Sequence, residues 1–279
     1  MENASFLAND QRGGCCVPAG EGTMRNLRCF ATTSVASAHP RAPSPRPPFA
    51  FRYLKGRPEV DRHRVGIIGH SEGGSIAPAV AAGDQEVAFV VAMAGSGLRG
   101  EFRITEMQAY MAKESGASSG QQAMIRALCQ KIFRTVKATP DDAVANERIS
   151  ALIDEANAAK VLTEEQAKGT RQLMTVKFVR QELNDDPIKY LKSVHVPVLA
   201  LVGSLDRIVP PEPYVAAMRP VLNTIPGSKV QILPGLNHLM QTARTGSPRE
   251  FSVIKESISP LALQVIGDWV GAQVKPAPH

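Results

Sequence analysis

Arg62-His63-Arg64-Val65-Gly66-Ile67-Ile68-Gly69-His70-Ser71-Glu72-Gly73-Gly74-Ser75-Ile76 is the stretch around which the rest of the sequence is ordered. Val65 to Ile68 is a short apolar run, of the kind that forms a strand buried on both faces of a parallel sheet. After Ser71 the small residues Gly73-Gly74-Ser75-Ile76-Ala77 lead into an Ala-rich segment ending at Ala82, which reads as a helix. Between the two, Gly69-His70-Ser71-Glu72-Gly73 fits G-x-S-x-G. In that sharp strand-to-helix turn the serine hydroxyl is forced out over the end of the sheet, and the flanking glycines leave room for backbones that pass close by. The helix N-terminus behind the serine favours developing negative charge, which makes the Glu72 backbone N–H a candidate oxyanion donor.

Downstream, Val87-Ala88-Phe89-Val90-Val91-Ala92-Met93 is a second buried strand. Strand, helix and strand at this spacing form a βαβ unit, so the two strands are expected to run parallel. Residues 101–185 carry almost no strand signal; amphipathic stretches run through Phe102–Lys113, Gln121–Lys137, Asp141–Lys160 and Thr163–Leu183. Thr139-Pro140-Asp141-Asp142 and Thr163-Glu164-Glu165 read as helix starts. The segment is expected to be a helical insertion between strands, placed as a cap that shapes substrate access, with plain scaffold as the alternative. The sheet resumes at Val196–Val202, a helix follows from Pro213 to Leu222, and Lys229–Leu233 is the last strand. A final helix from Pro260 to Val270 carries the single tryptophan, Trp269, and is expected to dock on the sheet.

Upstream the character differs. Met1 to Pro48 lacks sustained apolar periodicity, holds three of the four cysteines and ends in a Pro-rich run, so residues 1–48 are expected to be atypical and largely disordered, ahead of a folded domain over residues 49–279. Helical spacing returns at Phe49–Lys55. Of the net charge of +6, about five units belong to the residues through Arg64. No basic stripe with interleaved aromatics follows, which argues against a nucleic-acid partner. No apolar run reaches the length of a membrane span and no secretory core is visible, so no membrane association is expected and cytoplasmic residence is the default. Cys15, Cys16, Cys29 and Cys129 form neither a metal-ligand spacing nor a disulfide framework.

A serine hydroxyl needs a base to take its proton and an acid to orient that base. Loops at strand ends supply both: Asp206 in Gly203-Ser204-Leu205-Asp206 after the third strand, and His238 in Pro234-Gly235-Leu236-Asn237-His238 after the fourth. The order Ser71, Asp206, His238, each at the carboxyl end of a parallel strand, puts all three on one edge of the sheet. Asp185 and Asp186 precede Pro187 and read as a helix-end turn, which leaves Asp206 as the better acid. His70 packs or hydrogen-bonds beside the turn and, with Met93, is a candidate substrate contact. Glu72 reads as a surface carboxylate.

On these segments residues 50–279 resemble the C-terminal two-thirds of bacterial serine esterases of the α/β-hydrolase superfamily, of the serine aminopeptidase-like and dienelactone hydrolase-like kind. The resemblance implies a mostly parallel sheet with a helical cap, Ser71 as nucleophile, Asp206 as orienting acid and His238 as general base, acting on small carboxylic esters with short acyl groups. The sequence departs from that pattern before the Ser71 turn: Gly13-Gly14 and His39-Pro40 follow no hydrophobic strand, so the loop bearing a second oxyanion donor is not found. Four strands are therefore expected, with the strand before Ser71 as an unpaired edge prone to homodimer formation. No cofactor and no metal are implied, since no phosphate loop or ligand cluster is present. A peptidase or amidase using the same three residues, and a non-catalytic remnant that binds a partner, are the competing readings.

Overall fold

The computed structural model describes residues 30–33, 49–95 and 97–274. These residues divide into two compact units, one formed by residues up to Gly97 and from Pro187 onward, the other by Leu98–Asp186.

In the first unit five strands form one sheet in the order β1-β2-β3-β4-β5, every neighbouring pair parallel: β1 (Phe30–Thr33), β2 (Gly66–His70), β3 (Val90–Met93), β4 (Val198–Gly203) and β5 (Lys229–Leu233). β3 and β4 are apolar throughout, and β2 is so up to its last residue, His70, because both of their faces are covered, and side chains alternate between two cores. Ile67, Val90, Ala92, Val198, Ala200 and Val202 pack with α1 (Phe49–Lys55), α2 (Glu72–Gly83), α8 (Pro187–Leu191) and α9 (Pro211–Leu222). Ile68, Val91, Met93, Leu199 and Leu201 pack on the opposite face with α10 (Pro260–Gln273). There Trp269 meets the Phe89 ring edge-on at 6.1 Å and donates its indole N–H to the Gly227 carbonyl at 3.0 Å. Helices on both faces of a parallel sheet, with a helical insertion in the chain, make the α/β-hydrolase architecture.

The N-terminal expectation needs correction. Residues 1–29 and 34–48 lie outside the described residues, but Phe30-Ala31-Thr32-Thr33 is a strand, paired in register Phe30↔Gly66 through Thr33↔Gly69. The strand before Ser71 is therefore not an unpaired edge, and the sheet has five strands rather than four. A four-residue strand is too short to show a period of its own; its hydrogen bonds come from the β2 ladder, which lies more than thirty residues further on.

The second unit comprises α3 (Gly100–Glu114), α4 (Ser119–Ala138), α5 (Asp142–Ala158), α6 (Glu164–Leu173) and α7 (Val176–Asn184), packed around Ile104, Cys129, Ile132, Val136, Ile153 and Val179. The two start signals act as caps: Thr163 with Gln166 forms a capping box, and Asp141 accepts from the Val144 N–H. Ser118 with Gln121, which the sequence reading passed over, forms a further capping box at the start of α4. The single stretch expected over Thr163–Leu183 is two helices, because the Thr175 side chain accepts from the Phe178 N–H and begins a new one. Arg180 closes the end of α4, donating to the Val136, Thr139 and Pro140 carbonyls, and pairs with Asp142 at 2.8 Å. Among the described residues no helix is long and apolar enough to cross a membrane.

Candidate active site

Ser71 sits between β2 and α2 with φ 55° and ψ −117°, a left-handed conformation rare for a residue with a side chain. One hydrogen bond fastens it there and two close backbone approaches surround it. Its N–H donates to the Met93 carbonyl at 2.8 Å, which fastens the turn to the end of β3. A Cβ on Gly69 would lie 2.0 Å from the Gly73 oxygen, so the chain can fold back this tightly only without one. A Cβ on Gly74 would meet the Gly95 Cα at 2.8 Å, where α2 begins against the loop after β3. Glu72 is exposed and is the first residue of α2, so its N–H is one of the donors a helix leaves without an internal acceptor.

Asp206 lies in the loop after β4 and is 2% exposed. Its Oδ1 accepts the Ile208 and Val209 backbone N–H groups, both at 2.8 Å, which turns Oδ2 toward His238. His238, in the loop after β5 and 5% exposed, places Nδ1 2.9 Å from Asp206 Oδ2 and Nε2 3.0 Å from Ser71 Oγ. A carboxylate can only accept, so Nδ1 carries the proton and Nε2 is left as the acceptor facing the serine hydroxyl. The structure thus brings Ser71, His238 and Asp206 into one hydrogen-bonded row across loops from three strands. Such a row can take a proton from a serine hydroxyl and carry it to a leaving group.

The two other sequence candidates also touch the row, through atoms that the sequence did not single out. Met93 reaches Ser71 by its carbonyl, while its side chain is buried in the apolar cluster beneath α10. His70 is half-buried and directs Nε2 at the His238 carbonyl oxygen, 2.7 Å away, with its ring 5.2 Å from the His238 ring. A carbonyl can only accept, so His70 Nε2 bears a hydrogen. Burial pushes the His70 pKa down, opposed by the bond to the His238 carbonyl.

Residues the sequence reading passed over fix the loops. Asn237 is fully buried; its Oδ1 accepts the Leu239 and Gln241 N–H groups, and its Nδ2 donates to Gln241 Oε1 at 2.9 Å. Gln241 in turn donates to the Glu256 carbonyl. Ser204 Oγ accepts the Gly235 N–H and the Leu205 N–H donates to the Leu236 carbonyl, so the Asp206 loop and the His238 loop are joined. Gly203 permits that approach, since a Cβ there would lie 2.1 Å from the Leu236 oxygen. The available signal was an Asn directly before a loop His, a residue that readily bonds to backbone two positions on. No group of acids, cysteines and histidines able to hold a metal occurs among the described residues.

A family model described as BAAT / Acyl-CoA thioester hydrolase C terminal matches residues 49–243, a span that includes Ser71, Asp206 and His238. No curated protein matches the chain. Among solved structures the chain is similar to acetyl xylan esterase 1 from Thermoanaerobacterium sp., at 16% identity and a TM-score of 0.37 over 81% of this chain and 50% of that one. It is similar to an esterase of Pyrococcus furiosus at 14% identity and a TM-score of 0.44, over 79% of this chain and 58% of that one. A serine hydrolase involved in carbazole degradation shares 20% identity at a TM-score of 0.35, over 79% and 67% of the two chains. The chain spans about half the length of the acetyl xylan esterase it matches.

Proposed function

The chain belongs to the BAAT / acyl-CoA thioester hydrolase C-terminal family, and from that premise we propose that it is a serine hydrolase cleaving small acyl esters through an acyl-enzyme. The observation that carries the reading is the row from Ser71 Oγ to His238 Nε2 at 3.0 Å and from His238 Nδ1 to Asp206 Oδ2 at 2.9 Å. In the proposed reaction Ser71 Oγ attacks the acyl carbon while His238 Nε2 takes its proton. Asp206 holds the imidazole in the Nδ1–H form and stabilises the imidazolium. Negative charge then grows on the acyl oxygen, toward which the Glu72 N–H and the start of α2 contribute. Collapse of the intermediate expels the leaving group, which receives the proton from His238. Water, activated by the same imidazole, releases the acid and restores Ser71.

A sulfur leaving group is the second reading, favoured by the family match, which is described by thioester hydrolysis.

Covalent labelling with a fluorophosphonate probe, alongside Ser71→Ala, tests the reading. Labelling that disappears in the variant supports an activated serine. A folded protein that takes no label overturns the proposal in favour of a non-catalytic binding module. Comparing 4-nitrophenyl acetate, a short acyl thioester and a 4-nitroanilide then separates esterase, thioesterase and amidase.

A further inference from the structure

A base must be held in place at more than one point. The Asp206 carboxylate grips His238 at Nδ1 only, and a ring held at one nitrogen can still pivot and carry Nε2 away from Ser71. Asn237 stiffens the turn, but its partners, Leu239 and Gln241, belong to the same loop and would move with it. The bonds from Ser204 and Leu205 join the loop to β4, not to the strand that carries the nucleophile. The bond from His70 differs from these. It leaves the residue adjacent to Ser71, at the last position of β2, and ends on the main chain of the base itself, 168 positions away, at 2.7 Å.

We infer that His70 is a positioning residue for the general base: its Nε2–H anchors the His238 carbonyl to the end of β2 and so sets the distance between His238 Nε2 and Ser71 Oγ. This inference rests on the serine-hydrolase reading. The chemistry requires a neutral donor at this point. A lysine or arginine would put a fixed positive charge beside a ring that must itself become an imidazolium, and like charges at this separation oppose each other. Imidazole with a hydrogen on Nε2 supplies the bond without the charge. A donor of this kind acts on how often the base is in line, not on how tightly substrate binds, so its loss falls on the chemical step.

The test compares wild type, His70→Phe and His70→Gln. Phenylalanine keeps a ring and removes the donor. Glutamine carries an amide nitrogen the same number of bonds from Cα as the imidazole Nε2 and restores it without titrating. Fluorophosphonate labelling of Ser71 is resolved into a maximal rate and a half-saturating concentration, with thermal unfolding recorded for each protein. His70→Phe is expected to lower the maximal rate about tenfold, the worth of one hydrogen bond in a preorganised site, at an unchanged half-saturating concentration. His70→Gln is expected to recover most of that loss. A folded His70→Phe protein labelled at the wild-type rate overturns the inference, as does a His70→Gln protein as slow as His70→Phe. A change confined to the half-saturating concentration also overturns it and makes His70 a ligand contact. Should His70→Phe fail to fold, His70→Asn, whose amide falls one bond short, takes its place with the same expected outcomes. A wild-type chain that takes no label overturns the serine-hydrolase reading itself, and is thereby told apart from failure of the His70 anchor.

Discussion

Gly69 and Gly73 approach each other across the turn so closely that a single methyl group on Gly69 would stand 2.0 Å from the Gly73 carbonyl oxygen. That atom is backbone and cannot swing away, so the turn must open to accept any side chain. Gly69→Ala is expected to reduce Ser71 labelling at least a hundredfold and to destabilise the domain by about 1–3 kcal/mol, since relieving the clash shifts the end of β2. Probe labelling with a denaturant melt checks both; an alanine variant with wild-type reactivity would show that the turn is looser than its geometry.

Asp206→Asn separates orientation from folding. The asparagine oxygen can keep the Ile208 and Val209 N–H bonds, so the loop should hold. Its amide then faces His238 Nδ1 as a donor, which forces the imidazole proton to Nε2 and removes the acceptor that Ser71 needs. Turnover of 4-nitrophenyl acetate is expected to fall by a factor on the order of 10⁴ with little change in the melting temperature. A fall of less than tenfold would point to another acid.

His70 also ties stability to pH. Its folded-state pKa lies below the ordinary value of 6.5 because the ring is buried, so near and below that pH the unfolded chain binds the proton more readily than the folded one. By linkage, the contribution is fully present above 6.5 and is lost as the pH falls toward the folded-state value. Melting temperatures recorded from pH 8 downward should therefore decline more steeply for wild type than for His70→Gln. Parallel curves would show that His70 takes its proton as easily in the folded state.

Cys129 lies in the core of the helical unit, and burial pushes its thiol up to about 12. Little thiolate forms at pH 8, and access is closed as well. Peptide mapping after iodoacetamide treatment should find Cys129 unmodified in the native protein and modified in urea. Modification under native conditions would mean that the unit opens readily.

Arg180→Ala tests how the same unit is held. The guanidinium satisfies three carbonyls at the end of α4, so its removal leaves them to water and loses the Asp142 pair. A loss of about 1–3 kcal/mol is expected by denaturant melt, and Arg180→Lys should recover only part because one ammonium cannot span all of them.

What was legible in the sequence was local. Apolar runs without alternation identified β2, β3 and β4, G-x-S-x-G identified the turn, and the Asp141 and Thr163 starts marked helices, because each depends on residues within a few positions. The order of Ser71, Asp206 and His238 was readable for the same reason: parallel strands joined by crossovers deliver their carboxyl ends to one edge whatever the side chains in between. The tertiary structure decided the rest. β1 exists as the partner of β2, and its four residues carry too little pattern to announce it. Asp206 turns one oxygen to its own loop and the other to His238, a division that requires the β4 and β5 loops to be joined. His70 was visible only as a neighbour of Ser71; that its Nε2 meets the carbonyl of a residue 168 positions away depends on two strand ends converging in space, and no local rule of sequence contains that distance.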